Sequence, residues 1–432
     1  MLYHSTGGKS PDVNFEDALM SGLAPDKGLY MPNKIPAIEI GSLFGKKFNE
    51  MAFIITKALI DGEIPDGDLR AIVDDAFNFE VPVVNLKDNI YSLELFHGPT
   101  AAFKDFGARF MARAMSYFLS RNRRKIRILV ATSGDTGSAV AHGFYNVPGI
   151  DVTILYPSGR VSPLQEKQLT TLGGNITALE VKGSFDDCQS MVKEAFLDSD
   201  ITGKLNLASA NSINIGRLIP QSLYYFYAYT IVAAKPGDPV VFCTPSGNFG
   251  NLTGGVLAKK MGLPVDYFIA ATNDNDVVPQ YLSSGSFDPR PSVTTYSNAM
   301  DVGNPSNFYR LLDIYKNRDN MLKDIKGYKV SDTSTLDTIR SVYKDHKYIL
   351  DPHGAVGYRA AKDFAAKQSS KVPAVFLETA HPSKFLEVIK EALGIDVEIA
   401  EVLRSYINKK KVSIVIENRY ELLKKYLLDT KK

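Results

Sequence analysis

A single lysine stands between aromatic residues in His97-Gly-Pro-Thr-Ala-Ala-Phe-Lys104-Asp-Phe-Gly107, on a turn that runs into a helical pattern. Gly98 and Pro99 mark a loop, and the run FGARFMARAMSYFL from Phe106 spaces apolar side chains at helical intervals, so Lys104 falls at or near a helix start. A helix N-terminus carries partial positive charge, and Phe103 and Phe106 solvate an ammonium poorly. Both effects favour a neutral amine, the form needed for nucleophilic or Schiff-base chemistry.

Two further loops are built to handle anions. The stretch Ile128 to Gly143 reads as a buried strand, a turn holding Ser133, Gly134, Asp135 and Thr136, and then a helix. Val240 to Gly255 has the same grammar around Gly247, Asn248, Phe249, Gly250 and Asn251. Such strand-to-helix turns aim backbone N–H groups and hydroxyls at a phosphate or carboxylate. Neither carries the Lys-Ser/Thr of a nucleotide phosphate loop, and neither matches the G-x-G-x-x-G spacing of a dinucleotide site.

These residues need a scaffold of several layers. With 432 residues the chain exceeds one simple core, so two or three domains are expected. Residues 1–90 read largely helical, with Asn14 as an N-cap and breaks at Asp61-Gly62 and at Pro65 to Gly67. Beyond them, short apolar runs (IRILVA, VTILYP, ITALEV, PVVFCT, VDYFIAAT, PAVFLET) alternate with helical stretches, the pattern of parallel sheets with crossover helices. The C-terminal ENRYELLKKYLLDTKK predicts a solvated amphipathic helix.

Composition narrows the partners. The net charge of +2 creates no field that calls for nucleic acid. Cys188 and Cys243 lie far apart without metal-ligand spacing, so no metal site is expected and reduced thiols in a cytoplasm are. The first residues, MLYHSTGGKSPDVNFEDAL, carry acids and lack an apolar core, unlike a signal peptide. Residues 218–234 are the nearest approach to a membrane span, but Pro220, Gln221 and the tyrosines predict a buried or interface helix instead.

Long blocks in one order give a resemblance. HGPTAAFKDFG at 97–107, ATSGDTGSAVAHGFY at 131–145, ILYPSGRVSPLQEKQLTTLGGN at 154–175 and SANSINIGR at 209–217 resemble the threonine synthases, in their longer bacterial and fungal form. The likeness continues through PSGNFGNLTGG at 245–255, IAATNDNDVVP at 269–279, SNAMDVGNPSNFYR at 297–310, DPHGAVGYRA at 351–360 and ETAHPSKF at 378–385. It implies an α/β fold of the pyridoxal-phosphate fold type II class: two open, twisted, mostly parallel sheets with flanking helices, plus a mainly helical N-terminal domain. The implied division is 1–90 for the appended domain, 91–110 with 226–432 for the large cofactor-binding domain, and 111–225 for a small domain closing on substrate.

The same resemblance implies roles. Lys104 would carry pyridoxal 5'-phosphate as a Schiff base and then act as general base and acid. Gly247, Asn248, Phe249, Gly250 and Asn251 would hold the cofactor's phosphate, at a helix beginning near Leu252, with Asn248 also at the ring oxygen and Thr379 at the ring nitrogen. Ser133, Gly134, Asp135 and Thr136 would take the carboxylate of O-phospho-L-homoserine. An inward Asp135 would repel that carboxylate, so it is expected turned away or hydrogen-bonded locally. Asn211, Ser212 and Arg217 would take the leaving phosphate, the guanidinium offering a bidentate fork. The implied reaction is γ-elimination followed by β-addition of water, in a monomer or homodimer with no membrane partner. A serine or threonine dehydratase, a phospho-lyase that does not rebuild threonine, and a catalytically silent carrier of the cofactor all remain open on these residues.

Overall fold

The computed structural model describes residues 1–122, 125–132, 134–368 and 372–430. Its centre is two sheets. The larger runs, edge to edge, Ile325–Lys329, Val265–Thr272, Val240–Pro245, Ala374–Glu378, Ile90–Glu94 and Val83–Asn85, parallel throughout except for the last pair. The smaller runs Ile414–Glu417, Ile176–Lys182, Ile150–Pro157, Ile126–Ala131 and Leu207–Ala208, all parallel.

The apolar runs account for both. Val240–Pro245 and Ile126–Ala131 are buried at every position, as strands covered by helices on both faces must be. The helix Pro220–Val232 lies against the larger sheet, where Tyr225 packs edge-on to Phe242 and Phe268. That places the tyrosine-rich segment in the core, and no helix among the described residues is long and apolar enough to cross a membrane.

The N-terminal part carries helices Phe15–Ser21, Phe48–Ile60 and Asp66–Ala76 beside a small antiparallel pair, Tyr3–Ser5 with Tyr30–Pro32. Asn14 caps the first helix by accepting from the Asp17 N–H over 2.8 Å. Asp61 and Gly62 end the second with positive φ.

The C-terminal segment departs from the expectation of a solvated helix within the large domain. Ile414–Glu417 extends the smaller sheet, and the helix Tyr420–Asp429 sets Leu423 and Leu427 into the apolar cluster of Cys188, Met191 and Val192. A helix this short is marginal in water, so its leucine stripe is stable only where a partner surface buries it.

Candidate active site

Topology assembles the site from strand ends. In the larger sheet three neighbouring parallel strands, Val240–Pro245, Ala374–Glu378 and Ile90–Glu94, lead at their C-terminal ends into the glycine loop, Thr379 and the lysine loop. In the smaller sheet the neighbours Ile126–Ala131 and Leu207–Ala208 lead into the Gly134 turn and the Asn211–Arg217 segment. Carboxyl ends of parallel strands are where open α/β sheets bind ligands.

Lys104 opens the helix Lys104–Asn122. Asp105 beneath it accepts from the Thr100 N–H over 2.8 Å and from the Thr100 hydroxyl over 2.7 Å, which closes the loop; a Cβ on Gly98 would meet that carboxylate at 2.5 Å. The loop is stitched to the Thr379 segment by Phe103 N–H to Thr379 O, 2.9 Å, and His381 N–H to Ala101 O, 3.1 Å. The Lys104 side chain is half-buried against Phe103, and among the described residues no hydrogen bond holds its amine. Burial lowers the amine to about 8; Asp135 acts in the opposite direction, and Lys384 and Arg217 add to the lowering. The lowering is in the direction expected from the sequence, with desolvation as its main cause.

The glycine loop enters the helix Gly250–Lys260 through Phe249, a left-handed residue with φ 59°. The helix begins two residues before the expected Leu252. A Cβ on Gly247 would lie 2.6 Å from the Met300 Cα, so no larger residue fits there. Asn251 braces the loop: its Oδ1 accepts from the Ser246 hydroxyl and its Nδ2 donates to the Pro245 carbonyl over 2.9 Å. Phe249 turns its ring into the core, leaving only its backbone to the loop. Among the described residues none of the N–H groups of 247–251 donates to a protein acceptor. A row of free donors at a helix N-terminus fits a phosphate.

Ser133 lies outside the described residues. Gly134, at φ 148°, is the N-cap of the helix Asp135–Phe144, and the Thr132 hydroxyl accepts from the N–H groups of Gly134 (3.0 Å) and Gly137 (2.8 Å). The N–H groups of Asp135 and Thr136 have no protein acceptor among the described residues. Asp135 itself is not bonded locally. Its Oδ1 takes the Lys384 ammonium at 2.5 Å and the Gln165 amide at 2.7 Å. Burial opposes its ionisation, but Lys384 and Lys104 outweigh that and hold the carboxyl well below the usual range.

Arg217 is buried on the short helix Ile215–Leu218 and donates to the Ala210 carbonyl, while its Nε is buried with no partner among the described residues. The Oδ1 of Asn211 is orphaned in the same way. Burial lowers Arg217 to about 10, with Asp105 working in the opposite direction. Gly107 lets this arginine lie on the lysine helix, since a Cβ there would meet its Nε at 2.7 Å. Ser212 is joined to the glycine loop: its hydroxyl accepts from Asn248 Nδ2 at 2.5 Å, and Asn248 Oδ1 accepts from the Ser306 N–H at 2.6 Å. The structure thus ties Asn248 to Ser212 and Phe103 to Thr379, and it sets Lys104 within electrostatic reach of Asp135 and Arg217.

Three supporting residues had no distinguishing sequence signal. Arg310 is fully buried and donates to the carbonyls of Tyr30, Ser212 and Ile213 and to Asn307 Oδ1, so it fastens the Ser212 segment to the N-terminal part. Glu378 is buried beside Thr379, its carboxyl pushed well above the usual range by burial and by Asp351, and it accepts from the Asp351 N–H over 2.6 Å. Lys384 is the third. The latter two sit in quoted blocks, ETAHPSKF, and Arg310 ends SNAMDVGNPSNFYR, but a lone charged residue in such a run does not announce burial.

Among the described residues the site offers an amine without a protein partner, a row of free N–H donors for a phosphate, and an unsatisfied guanidinium N–H. A phosphate-bearing aldehyde and an anionic substrate fit that set.

The chain matches the family model described as pyridoxal-phosphate dependent enzyme over residues 81–378, with threonine synthase N terminus over 2–77 and threonine synthase, C-terminal over 354–427. It is 46% identical to a threonine synthase of Haemophilus influenzae, covering 96% of this chain and 97% of that protein. Among solved structures, a threonine synthase of Brucella melitensis with PLP bound is similar at TM-score 0.94 and 38% identity, covering 99% of this chain and 98% of that one. The Escherichia coli threonine synthase is similar at TM-score 0.93 and 41% identity over 100% of both chains.

Proposed function

Because this chain belongs to the threonine synthases, a family of pyridoxal-phosphate-dependent enzymes, we propose that it converts O-phospho-L-homoserine and water to L-threonine and phosphate with the side chains gathered around Lys104. It is a lyase whose cofactor is pyridoxal 5'-phosphate. When bound, that group supplies an electron sink that acidifies hydrogens near the substrate's amine.

Lys104 would hold the cofactor through its amine. With its amine near 8, Lys104 then takes the Cα proton and moves protons at Cβ and Cγ. The N–H groups of Gly247, Asn248, Phe249, Gly250 and Asn251 would hold the cofactor's phosphate, and Asn248 would meet its ring oxygen. Thr379 offers the ring nitrogen a hydroxyl, which does not stabilise a proton there as a carboxylate does. Ser133, Gly134, Asp135 and Thr136 receive the α-carboxylate, and Asn211, Ser212 and Arg217 the phosphate. Arg217, Asn211 and Ser212 stabilise that phosphate as a Cβ proton is lost and the Cγ–O bond breaks; Cγ then gains a proton, water adds its hydroxyl at Cβ, and a proton returns to Cα, giving L-threonine and phosphate.

In this reading 111–225, joined by Ile414–Glu417 and Tyr420–Asp429, form the small domain that closes over 91–110 and the chain from 226 up to that strand, and 1–90 is appended except for Val83–Asn85, which joins the larger sheet. The enzyme works on a small molecule as a cytoplasmic monomer or homodimer, without nucleic acid or membrane.

The observation that carries the reading is the neighbourhood of Lys104: among the described residues its amine has no hydrogen bond, and within electrostatic reach lie the Asp135 turn, with its open N–H groups, and Arg217, with its unsatisfied Nε. Incubation of the holoenzyme with O-phospho-L-homoserine, following phosphate and L-threonine together, tests it. Equal release of both is expected. Phosphate without threonine would identify a phospho-lyase, and neither product would end the proposal.

A further inference from the structure

Lys384 is a buried cation for which the roles above leave no task. It stands in the short turn Pro382–Lys384 that follows Ala374–Glu378, and its side chain is wholly buried. Its ammonium meets two acceptors from distant parts of the chain, Asp135 Oδ1 at 2.5 Å and the Thr100 carbonyl at 2.9 Å. Thr100 belongs to the lysine loop, and Asp135 begins the helix that follows a strand of the smaller sheet. One helix, Pro163–Thr170, doubles both contacts: Gln165 donates to the same Asp135 oxygen at 2.7 Å, and Gln168 to the same Thr100 carbonyl at 3.4 Å. Gly134 accommodates this arrangement, because a Cβ on it would meet the Gln165 amide at 2.9 Å.

Burying two ions costs desolvation that their attraction barely offsets, so stability alone gives no account of the pair. Charge at the turn does. An uncompensated Asp135 would set a negative charge against any carboxylate approaching the N–H groups of Asp135 and Thr136. Paired with Lys384, it leaves those donors and the helix terminus free to attract an anion. The pair also joins the larger sheet to the smaller through the lysine loop, which sets the distance between the turn and Lys104.

We propose that Lys384 is a positioning residue for the α-carboxylate of the substrate, neutralising Asp135 and tying the Gly134–Thr136 turn to the Lys104 loop through Thr100. This rests on the reading of that turn as the carboxylate site.

The test uses holoenzymes of Lys384→Met, Lys384→Arg, Asp135→Asn and the double variant Lys384→Met/Asp135→Asn. Each is assayed for kcat and KM with O-phospho-L-homoserine, for pyridoxal-phosphate affinity, and for L-threonine binding by the change in the cofactor's visible band. Lys384→Met is expected to raise KM about tenfold or more, through like-charge repulsion, with cofactor affinity little changed. Lys384→Arg and the double variant should recover most of that loss. Asp135→Asn breaks the same ion pair from its other side but leaves no unpaired negative charge at the turn, so its KM should rise clearly less than that of Lys384→Met.

A merely structural pair predicts the opposite: Asp135→Asn as harmful as Lys384→Met, and a double variant no better than either. That pattern overturns the proposal, as does a cofactor affinity that falls in step with KM. Should Lys384→Met not fold, Asp135→Asn and the double variant still decide. If the wild type makes no threonine, the functional reading fails separately, and the order of L-threonine affinities still decides the role of Lys384.

Discussion

The backbone N–H of Phe103 donates to the carbonyl of Thr379 over 2.9 Å, which fixes the residue preceding the lysine to the residue assigned to the cofactor's ring nitrogen. The residues proposed for the two ends of the cofactor's ring are thereby joined through a main-chain bond that side-chain substitution leaves in place.

Thr379→Asp accordingly tests the ring contact alone. A carboxylate there stabilises a protonated ring nitrogen where a hydroxyl does not. Threonine formation should fall by at least about tenfold, or ~1.4 kcal/mol of barrier. Pyridoxamine phosphate, measured by chromatography after turnover, should accumulate. Unchanged turnover with an unchanged visible spectrum would separate Thr379 from the ring.

Lys104→Met tests the cause of the lowered amine through the stability of the apoprotein. The native amine titrates at about 8 against a usual 10.5. At pH 7 both states hold the proton, and the native state bears the full cost of enclosing a charge, up to about 3 kcal/mol and less for the part facing solvent. Between 8 and 10.5 the unfolded chain binds more protons than the native one, so wild-type stability rises with pH through that window. The methionine variant lacks this titration. Its advantage in denaturant unfolding should be largest at pH 7 and vanish near pH 10.5; a constant difference across that range would mean that the lysine titrates normally.

Arg217→Ala should raise the KM for O-phospho-L-homoserine and leave pyridoxal-phosphate affinity nearly intact. Loss of a charge-assisted partner of a phosphate costs roughly 2 kcal/mol, or about thirtyfold in kcat/KM. A comparable loss in a cofactor titration would move Arg217 to the cofactor's phosphate instead.

Two glycines of the phosphate loop should behave differently. An alanine Cβ at Gly247 meets the Met300 main chain at 2.6 Å, whereas at Gly250 its nearest neighbour is Asn307 Nδ2 at 3.4 Å. Main chain yields less readily than the end of a side chain, so Gly247→Ala should weaken cofactor binding by about tenfold or more, the equivalent of the 1–3 kcal/mol typical of overpacking. Gly250→Ala should lose much less. Equal effects in equilibrium titrations would contradict the steric account.

Much of the frame was legible in the chain itself. Continuous apolar runs such as IRILVA and PVVFCT exclude solvent-facing strands, and Asn14 and the helix at Lys104 follow from local capping and periodicity. Those signals are local, so they survive without knowledge of the partners. The helix Tyr420–Asp429 illustrates the limit: its amphipathic stripe was visible, but not which surface would cover it.

By itself the sequence determined which residue types could do chemistry: the flanked lysine, two turns with glycine at their bends, and an arginine amid asparagine and serine. These follow from backbone conformation and side-chain chemistry, which neighbouring residues set. Only the tertiary structure decided that Lys384 reaches Asp135 at 2.5 Å, that Arg310 fastens Ser212 to Tyr30, and that Asn248 meets Ser212. Whether a charged side chain is solvated or buried against a partner depends on which strands become neighbours, and strand order is a property of the whole packed core rather than of any segment within it.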